Sequence, residues 1–121
     1  DLNGADFENC KFYHCTFDNA SLVNCNLQNA LFSNCSLYNV TAEEAELQNA
    51  RFFSCNLAKA FFTHSNFKEA VLKSCQTTSS SFMNCCIENI ALEETDLPND
   101  EMFDSESDWI KNDIPDFEPN M

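Results

Sequence analysis

The sequence predicts an all-β solenoid over residues 1–97 followed by a chemically different tail, and three observations predict it. Every fifth residue from Leu2 to Leu97 falls in one phase, and eighteen of its twenty sites hold Leu, Phe or Ile. The residue two before each of these is small, with seven Ala and seven Cys among nineteen sites. The residue two after is Asn in ten of the twenty repeats, Asn24, Asn29, Asn34 and Asn39 among them.

A period of five fits neither regular element. A helix advances about 100° per residue, so five-residue steps scatter large side chains around every face. A straight strand alternates sides with period two, so an odd step throws successive large residues to opposite faces. The pattern becomes consistent if the chain turns a corner once per repeat and re-aims each large residue toward one shared axis. Residues two apart on an extended segment point the same way, so each repeat sends one small and one large side chain inward. Asn tolerates left-handed dihedrals better than other non-glycine residues, which places the corner two residues after the large site. Outside the phase, residues 1–97 contain only four other Leu, Phe or Ile: Leu31, Phe53, Phe61 and Ile90.

Stretches such as Ala20-Ser21-Leu22-Val23-Asn24, Cys25-Asn26-Leu27-Gln28-Asn29 and Ala45-Glu46-Leu47-Gln48-Asn49 resemble the pentapeptide-repeat proteins, whose motif is roughly Ala-(Asp/Asn)-Leu-x-x. The resemblance covers residues 1–97. It implies a right-handed quadrilateral β-helix with four repeats per coil and therefore about five coils here. Stability in such a rod comes from stacking neighbours rather than from a globular core.

Folding the sequence on a twenty-residue coil assigns every side chain to a column. Cys15, Cys35, Cys55 and Cys75 fall into one. Stacked strands lie about 4.8 Å apart, slightly beyond the Cβ separation of about 3.5–4.5 Å that a disulfide needs. The inward cysteines are therefore expected as buried thiols that pack as small hydrophobes. No metal site is expected, because a column does not converge tetrahedrally. Free buried thiols favour a reducing compartment, with the cytoplasm as the expected one. Cys86 alone sits at an outward position and is the candidate exposed thiol.

The net charge of −14 divides evenly, with −7 in the repeats and −7 in residues 98–121. We number the faces by their first residues. The first face (residues 5–9 and their repeats) carries −4, the second (10–14) +1, the third (15–19) −1 and the fourth (1–4 and 20–24) −3. The second face also places Tyr13, Leu31, Phe53 and Val71 at outward positions beside Lys11, Arg51 and Lys73. Tyr13, Leu31, Arg51, Phe53, Val71 and Lys73 form the candidate interaction face, since apolar residues grouped with cations suit a partner's surface. The alternative is that they pack on the tail, on a preceding segment or on a second copy of the chain.

Residues 98–121 hold all three prolines and lose the five-residue phase. Ser105 is a candidate N-cap for a short helix through Asn112. In that helix Trp109 and Ile110, together with Phe103, would cover the open end of the last coil as a cap, with an acidic tail beyond. Two breaks interrupt the inward column: Ala42 and Thr77. Thr77 lies in the polar run Gln76–Ser81, so an underfilled and distorted corner is expected there. The chain opens inside a repeat without Met, and a preceding segment is expected.

No catalytic set is visible, and no cofactor is expected. His14 and His64 fall on opposite sides of the coil, and Glu43, Glu44 and Glu46 spread around a corner rather than converging in a cleft, as acid–base chemistry requires. The expected function is a non-enzymatic structural or protein–protein interaction module presenting rigid faces. The partner is a protein or a second copy of the chain, with no direct nucleic-acid contact and no membrane. The resemblance also implies an alternative, a DNA mimic that binds a type II topoisomerase, as quinolone-resistance members of the family do. Five coils span about 24 Å, over which duplex DNA carries about fourteen phosphates. The repeats carry half that charge, unevenly spread.

Overall fold

Corners dominate the backbone. The computed structural model describes residues 1–98 and the backbone of residues 110–111, and within it every fifth residue from Gly4 to Glu94 has a positive φ, between 52° and 76°. Nine of these nineteen corners are Asn; the others include His14, Lys59, His64 and Glu69. Asn reaches the left-handed region at lower cost than these larger residues. At His, Lys, Glu and Ser corners the stacked neighbours impose the conformation.

Stacking is parallel and in register at twenty-residue spacing. On the second face it gives five short strands in one sheet, in chain order: β1 (Lys11–Tyr13), β2 (Leu31–Ser33), β3 (Arg51–Phe53), β4 (Val71–Lys73) and β5 (Ala91–Glu93). Phe12, Phe32, Phe52, Leu72 and Leu92 align in it. Four full turns separate β1 from β5. The other faces join through single parallel bridges such as Asn26↔Glu46, Ser36↔Asn56 and Thr41↔Phe61. Corner amides bond across coils as well: Asn19 N–H donates to the Tyr38 carbonyl at 2.9 Å, and Asn39 N–H to that of Ala58 at 2.9 Å.

Inside, the large column residues fill the rod. Phe32 and Phe52 stack with centroids 4.8 Å apart and planes 2° from parallel, and Phe12 stacks on Phe32 at 4.9 Å. Phe62 stacks on Phe82 at 5.2 Å and meets Phe67 edge-on at 5.1 Å. These spacings match the separation of stacked strands, so the aromatic contacts follow from the register. Ala42 and Phe62 are both fully buried, so the small residue leaves no opening to solvent.

Three of the four corner columns close with a turn bond from the amide after the corner to the large residue's carbonyl, as from Cys10 to Phe7 and from Ala20 to Phe17, at 3.0 and 2.9 Å. At the corner between the second and third faces a side chain of the next coil takes that role. Cys35 Sγ accepts from the Cys15 amide at 3.4 Å and donates to the Phe12 carbonyl at 3.3 Å. Cys55 and Cys75 donate to the carbonyls of Phe32 and Phe52 in the same way, at 3.3 and 3.4 Å. Thr95 completes the column: its Oγ1 accepts from the Cys75 amide at 3.0 Å. The thiols do more than fill space, because each one satisfies backbone groups of the preceding coil. Ser65 opens one fourth-face corner likewise, accepting from the Ala45 amide at 3.0 Å and donating to the Ala42 carbonyl at 2.7 Å.

All eight cysteines are free, as the column geometry requires. Burial pushes the Cys25 thiol above its ordinary value of 9.0. Cys35 is raised further, first by its hydrogen bond with Cys55 and then by burial. At Cys55 the bond with Cys35 pulls down, but the bond with Cys75 and burial outweigh it and leave the group at about 12. Cys75, at the end of the run, is drawn down by its bond with Cys55 against its burial.

Two expectations are corrected. The Thr77 corner is regular rather than distorted: Ser79 has φ 61°, and the turn bond from the Ser80 amide to the Thr77 carbonyl is kept at 3.1 Å. The hydroxyl explains it, because Thr77 Oγ1 donates to the Asp96 carbonyl of the next coil. The expected capping helix would include Ile110 and Lys111, yet these form β6 (Ile110–Lys111), parallel to β5 with Ala91 opposite Ile110. A sixth strand satisfies edge groups of β5 that would otherwise lack partners. Phe103 and Trp109, the other residues expected in the cap, lie outside the described residues.

Three outcomes test this interior. Thr77→Val removes the donor to Asp96 and should destabilise the chain by about 1 kcal/mol in urea unfolding; an unchanged or higher midpoint would mean the bond contributes nothing. In a native thiol titration, half-buried Cys10, Cys15 and Cys86 should react early, while Cys25, Cys35, Cys55, Cys75 and Cys85 wait for unfolding; early reaction of the buried five would show an open interior. Raised thiols hold their protons more tightly when folded, so their stabilisation is present below the ordinary 9.0 and lost as pH rises toward 12. Cys75 opposes this alone, so stability should fall above pH 9, and replacing Cys35 and Cys55 with Ala should flatten the slope.

Candidate functional site

Among the described residues the rod offers four faces and a groove. The groove follows the corner where side chains replace the turn bonds, encloses about 590 Å³, and has Cys15, Cys35 and Cys55 on its floor. Its rims carry His14, Asn34 and Ser54 on one side and Thr16, Ser36 and Asn56 on the other. Hydroxyls, amides and a single imidazole make a polar trough without a charged pair. Below it Cys35 and Cys55 are raised and hydrogen-bonded to backbone, which suits a structural role and disfavours thiolate attack. The sequence carried a signal for this groove: this column alone has a hydrogen-bonding side chain at every level, four Cys and Thr95.

Charges on the flanks are loosely paired, exposed on the first face and half-buried on the second. Lys68 lies 3.9 Å from Glu88 on the first face, and Lys73 lies 4.0 Å from Glu93 on the second. Such pairs contribute little to stability. Asp18 on the third face accepts from Ser36 Oγ at 2.5 Å and from the Tyr38 amide at 3.1 Å, and Lys59 sits 5.7 Å from the centroid of the Tyr38 ring. His14 and His64 occupy opposite corners, with His64 Nε2 3.4 Å from Asn84 Nδ2. Glu43, Glu44 and Glu46 are all exposed and turn around a corner as expected. Among the described residues, no group of three His, Cys, Asp or Glu could hold a metal ion. No helix among them is long and apolar enough to cross a membrane.

The candidate interaction face is brought together in β1–β4, but not as an exposed apolar patch. Leu31 is 1% exposed and Phe53 6%, so neither offers surface to a partner; Tyr13, Arg51, Val71 and Lys73 are half-buried. Counting outward positions from the sequence puts them on this flank but does not report their burial. Cys86 is half-buried at its outward position, bridged in the ladder to Asn66.

Phe61, which the five-residue phase left unexplained, is the large apolar side chain most open to solvent among the described residues, at 44%; Leu2, in the first coil, follows at 39%. Phe61 stands mid-rod on the fourth face, bridged to Thr41 and Ser81. Val23, Thr63 and Met83 share that face and are half-buried. Glu43 stands in the same column between Val23 and Thr63 and is exposed; apart from it, Asp1 and the corner residue Glu44, this face is uncharged.

Comparison with known proteins follows the same geometry. A model described as a pentapeptide repeat region matches residues 26–102, and one for pentapeptide repeats in eight copies matches residues 1–39. No curated protein matches the chain. Among solved structures, HetL, a pentapeptide repeat protein involved in heterocyst differentiation regulation from Nostoc sp. strain PCC 7120, is 12% identical, with a TM-score of 0.57 over 75% of this chain and 43% of its own. The chain thus spans less than half the length of HetL. Rfr23 from Cyanothece 51142 is 16% identical, with a TM-score of 0.50, covering 91% of this chain and 90% of its own. QnrB1, a plasmid-mediated fluoroquinolone resistance protein, is 14% identical over 93% of this chain and 84% of its own, and its TM-score of 0.37 carries no argument. Repeat phase, left-handed corners, in-register stacking and the matched family models agree, and the chain belongs to the pentapeptide-repeat family.

Proposed function

We propose that this chain is a non-enzymatic protein-interaction module whose fourth face is its contact surface. The observation that carries the reading is Phe61, a large apolar side chain 44% exposed in the middle of a flat face whose charges are confined to Asp1, Glu43 and Glu44. Aromatic side chains recur at the energetic centre of protein interfaces, and Val23, Thr63 and Met83 provide a flat surround. The backbone supports it, because cross-coil bonds hold the face rigid before a partner arrives, which lowers the ordering cost of association. The partner that fits is a protein presenting a partly apolar surface with room for a phenyl ring and no acidic group opposite Glu43 and Glu44. The face does not suit nucleic acid, which needs cations. A DNA-like rod gains no support, since the repeats' negative charge concentrates on the first and fourth faces while the second carries +1.

Phe61→Ser should leave unfolding within about 0.5 kcal/mol of wild type, as expected for a surface change away from the core. The same change should abolish affinity capture of the partner from the native source, while Glu88→Gln on the first face should not. Equal capture by the Phe61 variant, or no specific capture by wild type, would overturn the assignment.

A further inference from the structure

Cys15, Cys35, Cys55 and Cys75 occupy four successive levels of one column, whereas Cys10, Cys25, Cys85 and Cys86 have no cysteine one coil before or after them within residues 1–98. Each thiol of the column repeats one contact, with the carbonyl two residues before it. Sγ lies 3.5 Å from that of Tyr13 at Cys15, 3.4 Å from that of Ser33 at Cys35, 3.4 Å from that of Phe53 at Cys55 and 3.6 Å from that of Lys73 at Cys75. The same contact at four levels means the same side-chain direction, so the sulfurs recur at the coil repeat of about 4.8 Å. The Phe32 and Phe52 rings stack at that repeat, 4.8 Å apart. Each cysteine side chain reaches inward across the rod axis, while the line joining successive sulfurs runs along it. A point midway between two sulfurs therefore faces them from opposite sides.

We propose that Cys15 and Cys35 form a two-coordinate site for a soft monovalent cation such as Cu(I), held in line between their sulfurs. A metal–thiolate bond is about 2.3 Å, so an ion bridging two sulfurs in a line needs them about 4.6 Å apart. The coil repeat, slightly too long for a disulfide, supplies that spacing. Soft thiolate ligands select Cu(I), and a monovalent ion with a filled d shell accepts linear coordination. Zn(II) instead takes four ligands tetrahedrally, and among the described residues no group of three His, Cys, Asp or Glu could hold a metal. Access comes from the groove, which has Cys15 and Cys35 on its floor. Cys15 is half-buried while Cys35, Cys55 and Cys75 are buried, so an ion enters at this end of the column. Binding breaks two S–H bonds and forms two S–Cu bonds; both protons leave to water, and copper stays Cu(I), so no electron moves. Coordination thus needs no free thiolate beforehand, unlike nucleophilic attack. The Cys15 amide already lies 3.4 Å from Cys35 Sγ, a hydrogen bond that strengthens once the sulfur carries charge. This inference stands whether or not the fourth face binds a partner.

Thiol alkylation of the native full chain without oxygen tests it, with equimolar Cu(I) supplied as its acetonitrile complex. Cu(I) should slow modification of Cys15 several-fold and leave Cys10 and Cys86, the other half-buried thiols, at their metal-free rates. Zn(II) should protect none of the three. Cys35→Ser separates the site from the fold, because a hydroxyl already serves this corner at Thr95, which accepts from the Cys75 amide at 3.0 Å. Slow labelling of Cys25 and Cys85 in the variant verifies a closed interior, and Cys15 should then react at its metal-free rate with Cu(I) present. X-ray absorption of copper-loaded wild type is independent of any variant and should show two sulfur neighbours and no others. Protection of Cys15 that persists in Cys35→Ser, equal protection of Cys10 and Cys86, protection by Zn(II), or no protection would overturn the site. So would a copper ion with three or more ligands.

Discussion

One constraint governs the molecule: the chain must adopt a left-handed backbone at every fifth residue. Outside glycine such a residue costs on the order of 1 kcal/mol or more, and eighteen non-glycine residues adopt it here. No isolated coil could hold that conformation. Parallel bonds to the coils on either side, with amides such as Asn19 and Asn39 donating across them, offset the cost, so corners and stacking require each other. This coupling is why stability is a property of neighbouring coils rather than of any one repeat.

The corners also explain the chemistry inside. Where a turn bond closes within a coil, the column behind it needs only small apolar residues, and Ala30, Ala50 and Ala70 supply one. Where that bond is missing, a donor and an acceptor are left in a dry interior, at a penalty of about 1–3 kcal/mol for each unsatisfied group. Cys35, Cys55, Cys75 and Thr95 provide the atoms that meet them. Eight cysteines in a chain of 121 residues look like a disulfide framework, yet at this corner a thiol serves as a compact hydrogen-bonding hydrophobe.

Much of this was legible in the residues themselves. The five-residue phase located the core and the corners, because direction in a repeat is set by local backbone geometry. The free thiol column followed from strand spacing. What escaped were effects that depend on groups outside the repeat frame. Leu31 and Phe53 are buried, whereas the pattern, which encodes direction alone, reads them as open surface. Thr77 looked like a flaw because its inward site is read by volume; its hydroxyl finds the Asp96 carbonyl, a partner nineteen residues on. Ile110 and Lys111 suited a helix locally, whereas the open edge of β5 favours a strand. Phe61 is just a residue out of phase until the fourth face is assembled around it.

The register has a consequence for how such a chain can change length. Adding twenty residues inserts one whole coil and leaves every later side chain on its own face. Adding five between Phe67 and Cys75 keeps the inward phase but rotates everything beyond by a quarter turn: Phe82 would stack against Phe67 instead of Phe62, and Cys75 would leave the corner that needs a thiol. The molecule is therefore indexed modulo twenty rather than modulo five. Insertions that preserve its surface arrangement come in whole coils, although the motif that builds it is only a quarter of one.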